Sequence, residues 1–192
     1  MFLRIMELLF FLYCFVHIFI AVLFDTQIVA SDLGIPKEVY PEQVLEMSKQ
    51  YVAQFKDPYF VNPPSWYKIF CFCEVVFQLP FCIIASYAFL RGSRAWIRVP
   101  TIIYSTHVIT TLLPIMYSLL VDDFSKMHRV GPTTQDERLQ LIALYSPYLI
   151  IPMLMLLTMI CSCNYGCSQG NETKSASQQK TTASKKKAKK NQ

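Results

Sequence analysis

Charge is scarce in this chain: only 16% of its 192 residues are charged, while 53% are hydrophobic and 14% aromatic. With a positive mean hydropathy as well, that balance excludes an ordinary soluble domain. Cysteine is missing from the stretches 30–65 and 122–138, so an oxidising compartment finds nothing to cross-link there. The cluster Cys161, Cys163, Cys167 matches no zinc spacing and has no histidine beside it. Inert or palmitoylated juxtamembrane thiols are the expectation, with no metal and no cofactor. A basic surplus is also missing from most of the chain. Acids slightly outnumber Lys and Arg up to Gly170, and the net charge of +5 arises in the tail. A nucleic-acid role therefore has no support.

Apolar length is abundant instead. Four segments, about 2–29, 66–90, 100–121 and 139–163, are each long enough to cross a hydrocarbon core of about 30 Å as a helix. Arg91, Arg94 and Arg98 crowd the link between the second and third, Arg4 opens the first, and Lys174, Lys180, Lys185, Lys186 and Lys187 follow the fourth. By the positive-inside rule these belong to the cytosol. The links 30–65 and 122–138 carry Asp32, Glu38, Glu42, Glu46, Asp122 and Asp123 and belong to the lumen. The expected fold is an all-α membrane protein, a four-transmembrane-helix bundle with Pro-kinked helices and both termini cytosolic. It occupies residues 1–163. A signal peptide is the competing reading of the first segment, but its apolar stretch exceeds the usual core of about 7–15 residues, and Glu7 and Asp25 fit such a peptide poorly.

From Asn164 the composition turns to Ser, Thr, Gln, Asn and Lys, as in a disordered tail. Lys189 and Lys190 stand third and fourth from the end given, like the dilysine signal that returns membrane proteins to the endoplasmic reticulum. A solvated basic tail drawn to anionic lipid is the plainer reading. Asn171, Glu172 and Thr173 form a glycosylation sequon that a cytosolic tail leaves unmodified.

Glu74 is a lone carboxylate within the apolar run from Trp66 to Leu90. A central acid costs roughly 2.5–3.5 kcal/mol to insert, so it normally faces protein or a water-filled cavity. At ~1.5 Å per residue it lies about 12 Å along the second helix, in the lumenal half. Asp25 closes the lumenal end of the first helix, and Asp57 precedes Pro58 in the lumenal link. Three carboxylates thus gather toward one side. Gln78 is four residues from Glu74 and shares its face. Tyr104, His107, Thr111 and Pro114 form a polar stripe on the third helix, and Tyr145, Tyr148 and Pro152 one on the fourth. Both are expected to look inward.

Two carboxyls close together tend to share one proton and attract a cation, and aromatic faces add cation–π attraction. The expected ligand is greasy with one amine or hydroxyl: a sterol or a cationic amphiphile. Bland readings stand beside this one. Glu74 can be a protonated packing residue, His107 interhelical glue, Tyr145 and Tyr148 ordinary bundle aromatics, Asp25 a wetted interfacial acid, and His17 packing. A proton-coupled transporter is disfavoured by small size and the lack of an inverted repeat.

Several stretches carry a family resemblance. Gln54, Phe55, Lys56, Asp57, Pro58; Phe72 through Phe81 with Cys73, Glu74, Val76, Gln78 and Pro80; Trp96, Ile97, Arg98; Ile102, Ile103, Tyr104, Ser105; Asp136 through Leu139; and Tyr145, Ser146, Pro147, Tyr148 resemble the sigma-2 receptor family of the EXPERA superfamily. The resemblance covers nearly everything before the tail. It implies an endoplasmic-reticulum membrane receptor for sterols, oxysterols and cationic amphiphiles, built as a homodimer of four-helix subunits and acting in cholesterol homeostasis. It further implies that Asp25 pairs with a ligand amine, that Asp57 hydrogen-bonds to Asp25, and that Glu74, Val76, Gln78, Thr111 and Tyr148 line the cavity, with Tyr104, His107 and Tyr145 as secondary candidates. The partners it implies are Niemann-Pick C1, a progesterone-receptor membrane component and the low-density-lipoprotein receptor. The same superfamily contains a sterol double-bond isomerase, whose branch places a histidine four residues before the membrane glutamate. Here that position is Phe70, so no enzymatic activity is expected.

Overall fold

The computed structural model of the chain describes residues 2–92, 94–124, 130–162 and 165. Cys163, Cys167, the sequon at Asn171 and the Lys189–Lys190 pair lie outside the described residues. Four helices are long and apolar enough to cross a membrane: α1 (Phe2–Asp32), α4 (Ser65–Arg91), α5 (Ala95–Val121) and α6 (Gln135–Cys161). The chain is a multi-pass, all-helical membrane protein. These helices start and stop a few residues away from the purely apolar segments, because capping groups rather than hydropathy set their ends. Thr134 and Glu137 form a reciprocal capping box at the start of α6, which moves its first turn into charged sequence.

The link 30–65 is largely helical. It holds α2 (Glu42–Phe55) and the one-turn α3 (Pro58–Val61). Val44, Ser48, Tyr51 and Phe55 recur at helical spacing and turn one face of α2 to the bundle. Gln27 Nε2 of α1 donates to Ser48 Oγ at 3.0 Å. An ion pair between Lys56 and Glu137 anchors the end of α2 to α6. Tyr51 and Phe60 meet Phe24 at ring centroids of 6.1 Å each. Together they roof the loop end of the bundle.

The most extensive packing joins α5 to α6 and α1 to α4. Two buried clusters fill the bundle. One, around Phe10, Cys14, Phe89, Met155 and Met159, lies toward the N-terminus of α1. The other, around Ile28, Tyr59, Tyr67, Ile115 and Leu141, lies toward the loop end. Tyr148 packs against both, which marks the level where they part.

Two helices widen into π turns. In α1 the turn is Ala21–Asp25, and in α4 it is Glu74–Gln78. In α4 the local cause is visible. Pro80 has no N–H to offer the carbonyl four residues back and its ring crowds it, so a regular α-helix fails through residues 76–80. In α1 the loosened carbonyls find side-chain donors: Thr26 Oγ1 donates to Val22 O at 2.6 Å and Gln27 Nε2 to Leu23 O at 2.5 Å. Single π turns of this kind cluster at functional positions.

Cations cap the helix ends. Arg4 donates to the carbonyls of Phe89 (2.8 Å) and Leu90 (2.5 Å) at the end of α4. Arg138 donates to Leu119 O at 2.6 Å and Asp122 O at 2.8 Å at the end of α5, and Arg98 to Met159 O at 2.9 Å near the end of α6. Each satisfies carbonyls that the helix leaves open and complements its dipole.

Candidate functional site: a carboxylate corner in an aromatic chamber

Between the two clusters lies a cavity of about 280 Å³, close to the lower end of the range of roughly 300–1,000 Å³ typical of small-molecule sites. Asp25, Asp57 and Glu74 all line it. Asp25 and Glu74 face each other across the two touching π turns, and their carboxyls are hydrogen-bonding partners. A ligand atom from each of Asp25, Cys71 and Glu74 lies within 4.8 Å of the others. Those three groups could close on a cation. The walls around them decide its kind: Phe24, Phe60, Tyr67, Phe70, Leu112 and Ile115 are aromatic or aliphatic, which favours an organic ammonium over a hydrated metal ion.

Asp57 is nearly inaccessible at 2% exposure and fully occupied. Its Oδ2 accepts from Tyr51 OH at 2.6 Å and Tyr145 OH at 2.8 Å, and its Oδ1 from the Tyr59 backbone N–H at 2.9 Å. The last bond makes Asp57 the N-cap of α3, with Pro58 at the first helical position. The resemblance implied that Asp57 holds Asp25; in the structure Asp57 holds two tyrosines and a helix start, and the partner of Asp25 is Glu74. Burial, then the adjacent Asp57 carboxylate, push the Tyr51 hydroxyl well above the ordinary phenol range, and burial pushes Tyr59 up to about 12. Both phenols stay protonated. Tyr51 therefore remains a donor to Asp57, and α2, α3 and α6 are tied together at the mouth of the chamber.

The remaining candidates divide. Thr111, Tyr145 and Tyr148 line the cavity; Thr111 Oγ1 also donates to the carbonyls of His107 and Val108, both at 3.1 Å. Val76 does not line it. Two residues from Glu74 is about 200° around a helix, and Val76 sits 43% exposed on the outer face. Gln78 lies one turn further along α4, where its Nε2 is 3.3 Å from His107 Nδ1, so this pair forms a polar contact between α4 and α5 outside the cavity lining. Tyr104 lies deeper still, stacked on Phe81 at 4.3 Å and bonded to Tyr13 OH at 3.5 Å. Pro114 is exposed. The polar stripe on α5 thus serves two levels of the bundle.

Sequence reasoning missed Tyr51, Phe60, Tyr67, Cys71 and His17 as cavity residues. The spacing of Val44, Ser48, Tyr51 and Phe55 carried a signal for the first. Tyr67, Phe70, Cys71 and Glu74 recur at helical spacing and carried another.

Residues 43–159 match the family EXPERA (EXPanded EBP superfamily). The chain is 44% identical over 162 residues to "Sigma intracellular receptor 2" of Xenopus tropicalis, covering 84% of this chain and 92% of that protein. It is 47% identical over 165 residues to the protein of the same name from Homo sapiens, covering 84% and 91%. A more distant relative, "Efficient mitochondria targeting-associated protein 19" of Schizosaccharomyces pombe (strain 972 / ATCC 24843), is 26% identical over 112 residues, 57% of this chain and 52% of that protein. With a four-helix membrane bundle and a match of that length, the chain belongs to the EXPERA superfamily.

Proposed function

We propose that this protein is a receptor of the endoplasmic-reticulum membrane that binds sterols, oxysterols or cationic amphiphiles in the chamber headed by Asp25 and Glu74, and acts in cholesterol homeostasis. The observation that carries the reading is the carboxyl pair set in aromatic walls. Two acids so close in a dry site do not both ionise readily. One proton between them leaves a single negative charge, which an ammonium offsets while its apolar body covers Phe24, Phe60 and Tyr67. Asp25, nearest the roof formed by Tyr51 and Phe60, is the group that pairs with the amine.

A receptor is favoured over an isomerase. The relatives that cover most of the chain are named receptors, and Phe70, in the position where the isomerase branch carries a histidine, presents an apolar ring to the cavity wall. A reaction that moves a double bond needs a second positioned proton carrier. In the endoplasmic-reticulum membrane, a topology with both termini cytosolic is supported by the Arg91, Arg94 and Arg98 cluster between the second and third spans, which the positive-inside rule assigns to the cytosol. A homodimer, and regulation through Niemann-Pick C1, a progesterone-receptor membrane component and the low-density-lipoprotein receptor, belong to the same proposal.

The test is equilibrium binding by the full chain in detergent, with an N-alkylpiperidine and a neutral sterol as probes. Asp25→Asn is expected to weaken the amine at least about thirtyfold, roughly 2 kcal/mol, and the sterol less than about threefold. Unchanged amine affinity would sink the assignment.

A further inference from the structure

The chamber has a second polar element at its other end. His17 is 4% exposed and lines the same cavity as Asp25, yet neither of its ring nitrogens has a hydrogen-bond partner. A buried imidazole without partners is an expensive thing to keep. Packing alone does not call for it: its ring lies between Tyr13 and Tyr148, at centroid distances of 5.9 Å from each, and a phenylalanine would stack there equally well. The nitrogens add nothing to that stack, and both are shut off from open space as the ring stands, so a ligand reaches one of them as the ring turns about Cβ–Cγ toward the cavity that His17 lines.

Helix geometry explains how His17 and Asp25 come to serve one chamber. They are eight residues apart, which on a regular α-helix leaves them about 80° out of phase. The π turn Ala21–Asp25 between them absorbs close to one extra residue, and the offset falls to about 20°. Asp25 and His17 then stand on the same face at two levels of one helix, separated by roughly 10 Å, since the absorbed residue adds no regular rise at ~1.5 Å per residue. Glu74 and Cys71 stand at the Asp25 level, and Tyr148 at the His17 level.

We propose that His17 is a second anchor of the ligand site, which hydrogen-bonds an oxygen of the ligand, a ketone or a hydroxyl, placed roughly 10 Å from the group held by Asp25. The ligand class is thereby narrowed to elongated, rigid, two-headed amphiphiles: polar at both ends and apolar between. Neutral imidazole carries one donor and one acceptor, so either a carbonyl or an alcohol suits it. The inference rests on the carboxylate reading of the preceding subsection, since the span of roughly 10 Å is counted along the helix from Asp25.

The test is a ruler made of ligands. Piperidines whose chain bears a ketone about 4, 7 or 10 Å from the nitrogen are compared with the same chain lacking the oxygen, on the full chain in detergent. The ketone is expected to improve affinity about tenfold at about 10 Å, the scale of one neutral hydrogen bond, and to give no gain at about 4 Å. In His17→Phe the gain of the ketone over the plain amine, both taken on that variant, disappears, and in His17→Gln part of it survives. A gain that does not depend on the ketone's position, or one that persists in His17→Phe, overturns the proposal. Should His17→Phe fail to fold, the position dependence in the wild type decides alone. Asp25→Asn separates the two readings. If that variant loses the plain amine but the ketone gain ignores His17, only the second anchor falls; if it keeps the plain amine, the carboxylate reading falls and this one with it.

Discussion

Asp25 closes one π turn and Glu74 opens another, and the two turns are in contact. Acids that helical insertion keeps out of the bilayer are thereby aimed at each other instead of at lipid. On α4 the deformation has a local cause in Pro80, and on α1 the Thr26 and Gln27 side chains take up the carbonyls it loosens. The carboxyl pair can therefore be perturbed from either side without touching a carboxylate.

Replacing Pro80 tests this directly. Pro80→Ala removes the ring clash and restores an N–H, which favours a regular helix by up to ~3 kcal/mol. The expected result is a protein at least as resistant to heat in detergent but with amine affinity lowered about tenfold, because Glu74 no longer meets Asp25. Higher thermal stability with unaltered binding would show that the π turn does not aim Glu74.

Which acid carries the charge is also open to measurement. Glutamine is a permanent copy of a protonated glutamic acid, so Glu74→Gln is expected to hold Asp25 in place and keep amine affinity within about threefold of wild type. Asp25→Asn removes the anion itself. Equal losses in the two variants would mean that the charge is spread over both groups, and a reversed order would move it to Glu74.

The four spans and the gathering of three carboxylates were legible in the sequence because hydropathy and the cost of a buried acid are local signals. The level of each residue along its own helix was legible too, since it follows from rise per residue. Orientation within a turn was less so. Val76 was placed in the cavity by resemblance although a 3.6-residue period sets it opposite Glu74. The π turns were hidden, because Pro80 announces a defect in α4 without stating its form, and Thr26 and Gln27 look like ordinary polar residues at a helix end. The roof of Tyr51 and Phe60 was lost by treating 30–65 as a link, although Val44, Ser48, Tyr51 and Phe55 already spelled out an amphipathic face. His17 was read as packing, which its stacking on Tyr13 satisfies; only the cavity beside it shows what else the ring can do.

Asp57 should behave as a structural acid. Asparagine keeps one acceptor for the α3 cap but loses the charge that Tyr51 and Tyr145 bond to. Charge-assisted bonds of this kind contribute about 1.5–3 kcal/mol each. Asp57→Asn is expected to lower the melting temperature and to weaken amine and neutral sterol alike, by loosening the roof. Tyr145→Phe should reproduce part of both effects. A loss confined to the amine, with melting unchanged, would instead assign Asp57 to the charge of the site.

Gly92 offers a test at the opposite end of the bundle. Its φ of +78° and ψ of 155° belong to a region essentially reserved for glycine, where another residue costs of order 1–3 kcal/mol. A Cβ there would also fall 2.4 Å from Arg4 Nη1 and 2.9 Å from Glu7 Oε2, pushing the guanidinium off the Phe89 and Leu90 carbonyls that it caps. Gly92→Ala should therefore destabilise the chain by about 3 kcal/mol, the sum of backbone strain and a lost charged hydrogen bond. Arg4→Ala alone should cost about 2 kcal/mol. If the cap is the shared cause, the double variant costs less than the sum of the singles, because the second change then finds no guanidinium left to displace. Full additivity in thermal melts would mean that Arg4 and Gly92 act independently, and that glycine is needed here for its backbone alone.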